Sequence, residues 1–203
     1  MDSRKIKRAL QEGNLKYRIV TEIFNLFGYS NRNIAGLEIK NKVYQYLDKN
    51  YSCKIGEFLY KKAEECDASG DKYIWICWFQ GMENAPELVK RCYASVKRNM
   101  PDKEIIVITK ENMDQYVNFP DHILKKWKRG LITDTKMSDF LRMELLIRYG
   151  GLWMDSTIFL SGPIPDWVYE KDIFMYAIDD SEDITRVYNN YFIYSKRDYP
   201  ILK

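Results

Sequence analysis

Along the first 70 residues, apolar side chains recur every three or four positions. In "NLKYRIVTEIFNLFGYS", Leu15, Ile19, Ile23 and Leu26 or Phe27 share one face of a helix. "AGLEIKNKVYQYLDKNY" and "IGEFLYKKAEECDA" predict two more helices. Lys and Arg occupy their outer positions, which suits a solvated face or contact with an anionic membrane surface or an assembly partner.

The period changes at "SGDK" (Ser69 to Lys72). "YIWICWF" (Tyr73 to Phe79) is a short, continuous apolar run, as in a strand covered on both faces. Pro86 suits the first turn of a helix running to about Asn99, and "EIIVIT" (Glu104 to Thr109) predicts a second buried strand. Strand, helix and strand with short links imply a right-handed βαβ unit. "ENMDQYV" and "DHILKKWKRG" predict short helices. A longer helix follows, with Ser138 as its N-cap and Gly150-Gly151 closing it. "LWM", "IFMYAI" and "YFIYSK" are further strands. The expected architecture is therefore α/β: a mostly parallel, Rossmann-like sheet over 71–203, preceded by a helical, basic segment over 1–70. No closing element follows "YPILK", so the domain is expected to be cut short at its C-terminus.

Length and charge narrow the class. A chain of 203 residues can bury a substantial core. The net charge of +3, with no basic block interleaved with aromatics, argues against a nucleic-acid partner. No apolar stretch reaches the roughly 18 residues of a membrane span, and "MDSRKIKRAL" lacks the core of a secretory signal. A cytoplasmic location is expected, with peripheral contact at the inner face of the cell membrane as an added option. Cys53, Cys66, Cys77 and Cys92 form no CxxC pair and the single histidine is His122. No zinc site is expected, and all four thiols are read as free and buried. The 16 Tyr and 5 Trp are compatible with stacking on sugars.

The densest chemistry lies in "SDFLRMELLIRYGGLWMDST" (Ser138 to Thr157). Asp139 and Arg142, at i and i+3, share a helix face. Alone they would form a local ion pair worth a few tenths of a kcal/mol. A helix that starts at Ser138 would put both in its first turn, where free N–H groups and the dipole favour phosphate or sugar hydroxyls. Asp155 falls at the C-terminal end of a strand, where ligands gather in open α/β sheets. Together they read as a grip for a charged, sugar-bearing ligand.

The same stretch closely resembles the SDxxRxxxLxxxGGxYxDxD signature of glycosyltransferases with a DXD-type sugar-binding region, and most of all capsular polysaccharide synthesis proteins. "IWICWFQGMENAPELVKRCYASVKRNMPDKEIIVI", "SGPIPDW" and "NNYFIYSKRDYPILK" are also similar to that family. The resemblance implies a GT-A-like fold. It also implies retaining transfer of a sugar from a UDP- or GDP-linked donor to a glycan or lipid-linked glycan, in bacterial capsular or surface polysaccharide biosynthesis. It assigns Trp78 to stacking on the base, with Gln80 and Gly81 beside the nucleotide. Asp139 and Arg142 would hold the donor sugar's hydroxyls, and Asp155 would contact ribose and metal-bound diphosphate. Ser138 and Gly151 belong to the same signature. Asp155, Arg142 and Asp139 are the expected catalytic groups, and losing Asp155 or Arg142 is expected to stop transfer with the fold intact. Thr157 stands where many relatives have a second, metal-binding acid. A hydroxyl is a poorer ligand for Mg²⁺ or Mn²⁺, so the implied divalent cation is expected to be held by Asp155 with the diphosphate oxygens, or with a further ligand from a C-terminal continuation. The alternative is a catalytically silent module that binds nucleotide-sugar or polysaccharide. Trp75 is read as core and His122 as a surface residue.

Overall fold

Strand β1 (Tyr73–Cys77) lies at the centre of what the apolar run encodes, with parallel neighbours on both sides. The computed structural model describes residues 3–12, 15–26, 40–53, 68–177 and 188–202. The chain divides into two units, Met1–Lys61 with Lys125–Ile132, and Lys62–Leu124 with Thr133–Lys203.

In the larger unit, β1 pairs in parallel with β2 (Glu104–Ile108) and with β3 (Gly151–Met154). Ile74 stands opposite Ile105 on one side and Leu152 on the other. Strand β5 (Tyr188–Ser195) then runs antiparallel to β3, and β4 (Ile173–Ala177) antiparallel to β5 at the edge. The order is β2-β1-β3-β5-β4, so the sheet is mixed rather than mostly parallel as expected. Apolar periodicity marks a strand but not its direction. Only ten residues separate Ala177 from Tyr188, fewer than the dozen or more a parallel crossover needs.

Helix α4 (Glu87–Asn99) makes the crossover from β1 to β2, with Pro86 at its N-cap. Short helices α5 (Met113–Tyr116) and α6 (Asp121–Lys128) precede α7 (Asp134–Tyr149). Helix α7 starts earlier than expected. Its N-cap is Thr133, whose side chain accepts from the Lys136 N–H at 3.3 Å, while the Ser138 hydroxyl donates to the Thr135 carbonyl at 2.8 Å. Asp139 and Arg142 therefore sit in the second and third turns. There the backbone N–H groups are committed to the helix, so a helix-terminus anion site does not apply to them. Several capping-type residues precede the apolar run, and the sequence alone does not rank them.

Two glycines pass the chain from α7 into β3. Gly150, at φ 68°, donates to the Leu146 carbonyl at 2.9 Å and closes the helix. Gly151, at φ 97°, opens β3. A Cβ there would lie 2.7 Å from the carbonyl oxygens of both Gly70 and Tyr73. Glycine is what allows β3 to lie this close to β1.

The central strands β1 and β3 are buried on both faces. Ile74, Ile76, Leu152, Met154, Phe192 and Tyr194 pack with Val96 and Met100, together with Ile164 and Val168 from the loop after β3. Helix α7 packs against β1 and β3 and buries Met137, Leu141, Leu145 and Leu146. Trp75 is core, its indole N–H donating to the Gly150 carbonyl at 2.9 Å.

The smaller unit contains α1 (Ser3–Glu12), α2 (Leu15–Leu26) and α3 (40–53), with α1 packed on α2. The helix expected over "IGEFLYKKAEECDA" lies outside the described residues up to Ala68. Cys77 and Cys92 are free and buried, but Cys53 is exposed on α3, and Cys66 lies outside the described residues. His122 is exposed as expected. Among the described residues, no helix is long and apolar enough to cross a membrane.

Candidate functional site

Strands β1 and β3 are parallel neighbours, and the chain leaves β1 for β2 on the side away from β3. Such a reversal of strand order opens a crevice at the C-terminal ends of the strands, because the flanking connections diverge there. A cleft of about 370 Å³ lies at that point. Cys77 to Gln80 line it from the end of β1, Trp153 and Asp155 to Thr157 from the end of β3, and Asp134, Thr135, Ser138 and Arg142 from α7. The spacing of four between Asp134, Ser138 and Arg142 puts them on one face of the helix.

Arg142 is the hub. It is only 4% exposed, and its Nη2 lies 3.0 Å from Asp139 Oδ1 and 3.4 Å from Asp155 Oδ1. Its Nη1 donates to the backbone carbonyl of Asn190, and its guanidinium carbon stands 5.0 Å from the centre of the Trp153 ring. That indole is partner as well as floor, since Trp153 Nε1 donates to Asp155 Oδ1 at 2.8 Å. The Asp155 N–H donates to the Tyr191 carbonyl at 2.8 Å, and Asn190 Nδ2 reaches Asp139 Oδ1 at 3.4 Å. Three segments of chain, α7, the end of β3 and β5, thus fix one cation between two carboxylates. Asn190 was not among the residues that the sequence singled out. Its main contribution is a carbonyl, which carries no side-chain signal.

A second network organises the opposite rim. Gln80 Nε2 donates to Asp134 Oδ2 at 3.1 Å, and Lys110 Nζ lies 3.4 Å from the same oxygen. This ties the loop after β1 to the first turn of α7. Trp78 is half-buried in the cleft wall. Its backbone N–H donates to the Ile108 carbonyl at 3.0 Å, while its indole N–H has no hydrogen-bond partner. The thiol of Cys77, on the cleft floor, is pushed up from 9.0 to about 12 by burial, with the charges of Asp134 and Asp155 adding to the shift against Arg142. It stays a neutral thiol near pH 7 and is no nucleophile.

Of the residues expected at a site, the cleft brings together Trp78, Gln80, Ser138, Arg142, Asp155 and Thr157. Asp139 joins through Arg142. Gly81 and Gly151 do not line the cleft and act on the backbone. Gly81, at φ 82°, makes the turn after Trp78, and Gly151 sets the spacing of β3.

The donor set for a cation is sparse. Among the described residues, no group of three or more His, Cys, Asp or Glu could hold a metal. Both contacts of the Asp155 carboxylate fall on Oδ1, which leaves Oδ2 and the exposed Thr157 hydroxyl as oxygen donors. These fit a hard cation whose remaining ligands come from the bound substrate.

Comparison with known proteins gives the chain its family. The family model described as capsular polysaccharide synthesis protein matches residues 25–203. An O-glycosyltransferase of Annulohypoxylon truncatum is 27% identical over 152 residues, which are 66% of this chain and 36% of that protein. An O-glycosyltransferase of Phomopsis amygdali is 31% identical over 106 residues, 47% of this chain and 26% of that one. The alignments thus span about a third or less of these relatives' length. Among solved structures, the PaToxG glycosyltransferase overlaps with a TM-score of 0.43 at 18% identity, covering 79% of this chain and 68% of that one.

Proposed function

The chain belongs to the capsular polysaccharide synthesis protein family, and on that premise we propose that it transfers a sugar from a nucleotide-sugar donor to an acceptor hydroxyl. The observation that carries this reading is Arg142, buried and fixed between Asp139 and Asp155 beside a cleft at the switch point of the sheet. The names of the relatives, both O-glycosyltransferases, support the same reaction class.

The reaction breaks the bond between the anomeric carbon and the diphosphate oxygen. It forms a bond from that carbon to the acceptor oxygen and releases the acceptor's proton. Positioning and charge stabilisation do most of this work. Two carboxylates share one guanidinium, so the cluster is net negative. That suits hydroxyls and a cation better than a bare diphosphate. Arg142 therefore acts by aiming its two carboxylates: Asp139 accepts from the donor sugar's hydroxyls, and Asp155 accepts from ribose. A divalent cation held by Asp155 with the Thr157 hydroxyl would, when bound, supply positive charge to the leaving diphosphate. Trp78 offers a face to the base, and Gln80, steadied by Asp134, offers its free amide oxygen. Cys77 is neutral, and Asp134 is engaged by Gln80 and Lys110. A retaining course, which needs no separate strong base, is the reading we favour.

We assign the donor to the UDP or GDP class. The acceptor is read as a glycan or lipid-linked glycan of a bacterial surface polysaccharide, made at the cytoplasmic side. Calorimetric titration with UDP and GDP, with and without Mn²⁺, tests the site in the parent chain and in Asp155→Ala. Nucleotide binding that is lost in the variant is expected. Failure of both nucleotides to bind would refute the assignment, and binding without turnover of any UDP- or GDP-sugar would point to a silent binding module.

A further inference from the structure

The two units carry opposite charge. Met1–Lys61 with Lys125–Ile132 holds 16 of the 32 Lys and Arg but only 6 of the 29 Asp and Glu, a net +10. The other unit holds the remaining 16 basic and 23 acidic residues, a net −7. The overall +3 conceals this division. We propose that the basic unit docks on an anionic lipid bilayer, independently of whether the other unit transfers sugar.

Charge alone would fit any polyanion, and the apolar surface decides between them. Helix α3 is exposed along its whole length, 40–53. Val43, Tyr44, Leu47 and Tyr51 form one stripe along it, spaced by three and four, and are 37%, 67%, 47% and 43% exposed. Lys40, three and four residues before Val43 and Tyr44, heads that stripe, while Lys42 and Lys49 lie on the opposite face of the helix. Ile19 and Ile23 on α2 repeat the pattern, 44% and 47% exposed one turn apart. Nine of the sixteen exposed large apolar side chains among the described residues belong to this unit. The last turn of α6 adds Lys125, Lys126 and Lys128, and all of Lys125–Ile132 is free of acid.

A bilayer surface satisfies both features at once. Aliphatic side chains enter the acyl boundary while Lys and Arg stay with anionic headgroups, each worth about 1 kcal/mol. The long stems of Lys and Arg allow the charge to remain at headgroup level above a buried stripe. A nucleic acid offers Val43, Leu47 and Ile19 nothing to bury against. Protein interfaces are depleted of Lys, whereas this surface is rich in it.

The test is co-sedimentation of the 203-residue chain with vesicles of phosphatidylcholine alone or with about a third phosphatidylglycerol, at low and high salt. Binding only to the anionic vesicles is expected, weakened as salt screens the headgroup attraction. The K126E/K128E variant should lose at least about tenfold in vesicle affinity, as expected from roughly 1 kcal/mol per basic residue. The Y44S/L47S variant should lose vesicle binding while keeping binding to heparin, a soluble polyanion. Far-UV circular dichroism and UDP titration of each variant report folding and the nucleotide site separately. Three outcomes would overturn the proposal. These are equal binding to neutral vesicles, no binding to anionic ones, and vesicle binding that Y44S/L47S leaves unchanged, which would leave a polyanion site indifferent to the stripe.

Discussion

Asp155 and Arg142 meet at 3.4 Å although one follows β3 and the other lies in the third turn of α7. The two are unequal in burial, with side chains 37% and 5% exposed. That inequality changes the expectation that either can be removed without harm to the fold. Arg142→Ala would leave Asp139 and Asp155 without their shared counter-ion and the Asn190 carbonyl without its donor. It should lower stability by about 2–4 kcal/mol, read by urea denaturation. Asp155→Asn keeps an acceptor for Trp153 and should lower stability by no more than about 1 kcal/mol. If the site assignment is right, it nevertheless abolishes sugar transfer. Full turnover by Asp155→Asn would remove that residue from the mechanism.

A second carboxylate should tighten the cation site. Thr157→Asp places an acid two residues after Asp155, on the exposed lip of the cleft. Mn²⁺ titration monitored by calorimetry should then show tighter binding in the presence of UDP, because the affinity of oxygen sites for hard cations rises with ligand charge. Unchanged Mn²⁺ affinity would mean that the cation, if used, is not held at this end of β3.

The glycine at the start of β3 tolerates no side chain. Gly151→Ala forces a Cβ to within 2.7 Å of two carbonyl oxygens, at a positive φ as well. A loss of more than about 2 kcal/mol is expected in thermal or urea unfolding. Gly130→Ala is the control, with a positive φ but nothing within 4 Å of the new Cβ, and should cost about 1 kcal/mol.

Alkaline pH should unfold the protein partly through its buried thiol. The Cys77 thiol is raised from 9.0 to about 12, so between these values the folded chain retains a proton that the unfolded chain releases. Its contribution is complete below pH 9 and is lost as pH rises toward 12. At pH 10.5 the loss amounts to at most about 2 kcal/mol. Tyr169, raised to about 12 by burial and by Asp71 and Asp166, acts in the same direction from pH 10 upward. Urea midpoints at pH 8 and 10.5 should fall less for Cys77→Ala than for the parent chain. Equal falls would place the alkaline sensitivity elsewhere.

Much of this was legible because the signals are local. "YIWICWF" and "EIIVIT" gave β1 and β2 to within two residues, since a continuous apolar run with turn residues on either side has few other uses. Asp139, Arg142 and Asp155 could be singled out because their spacing fits a helix followed by a strand end, and the structure brings both carboxylates onto the Arg142 guanidinium. What the sequence withheld is relational. The direction of β5 depends on which neighbour it finds, and the start of α7 depends on which of several capping-type residues adopts the cap. Asn190 escaped notice because its carbonyl is the partner of Arg142, and every residue but its position looks alike from the backbone. The division of charge was legible only in part: the basic segment over 1–70 was expected, but the four basic residues of Lys125–Ile132 are far in sequence from the segment they join.

The return of β5 beside β3 also sets a time at which the site can exist. Arg142 takes its carbonyl partner from a residue 48 positions later, and Asp155 takes its backbone partner from Tyr191. During synthesis α7 and β3 leave the ribosome well before either partner does. Until β5 docks, a guanidinium destined for burial must stay hydrated. The cleft is therefore assembled late, and a chain interrupted before residue 190 would hold the acids and the arginine without the geometry that aligns them.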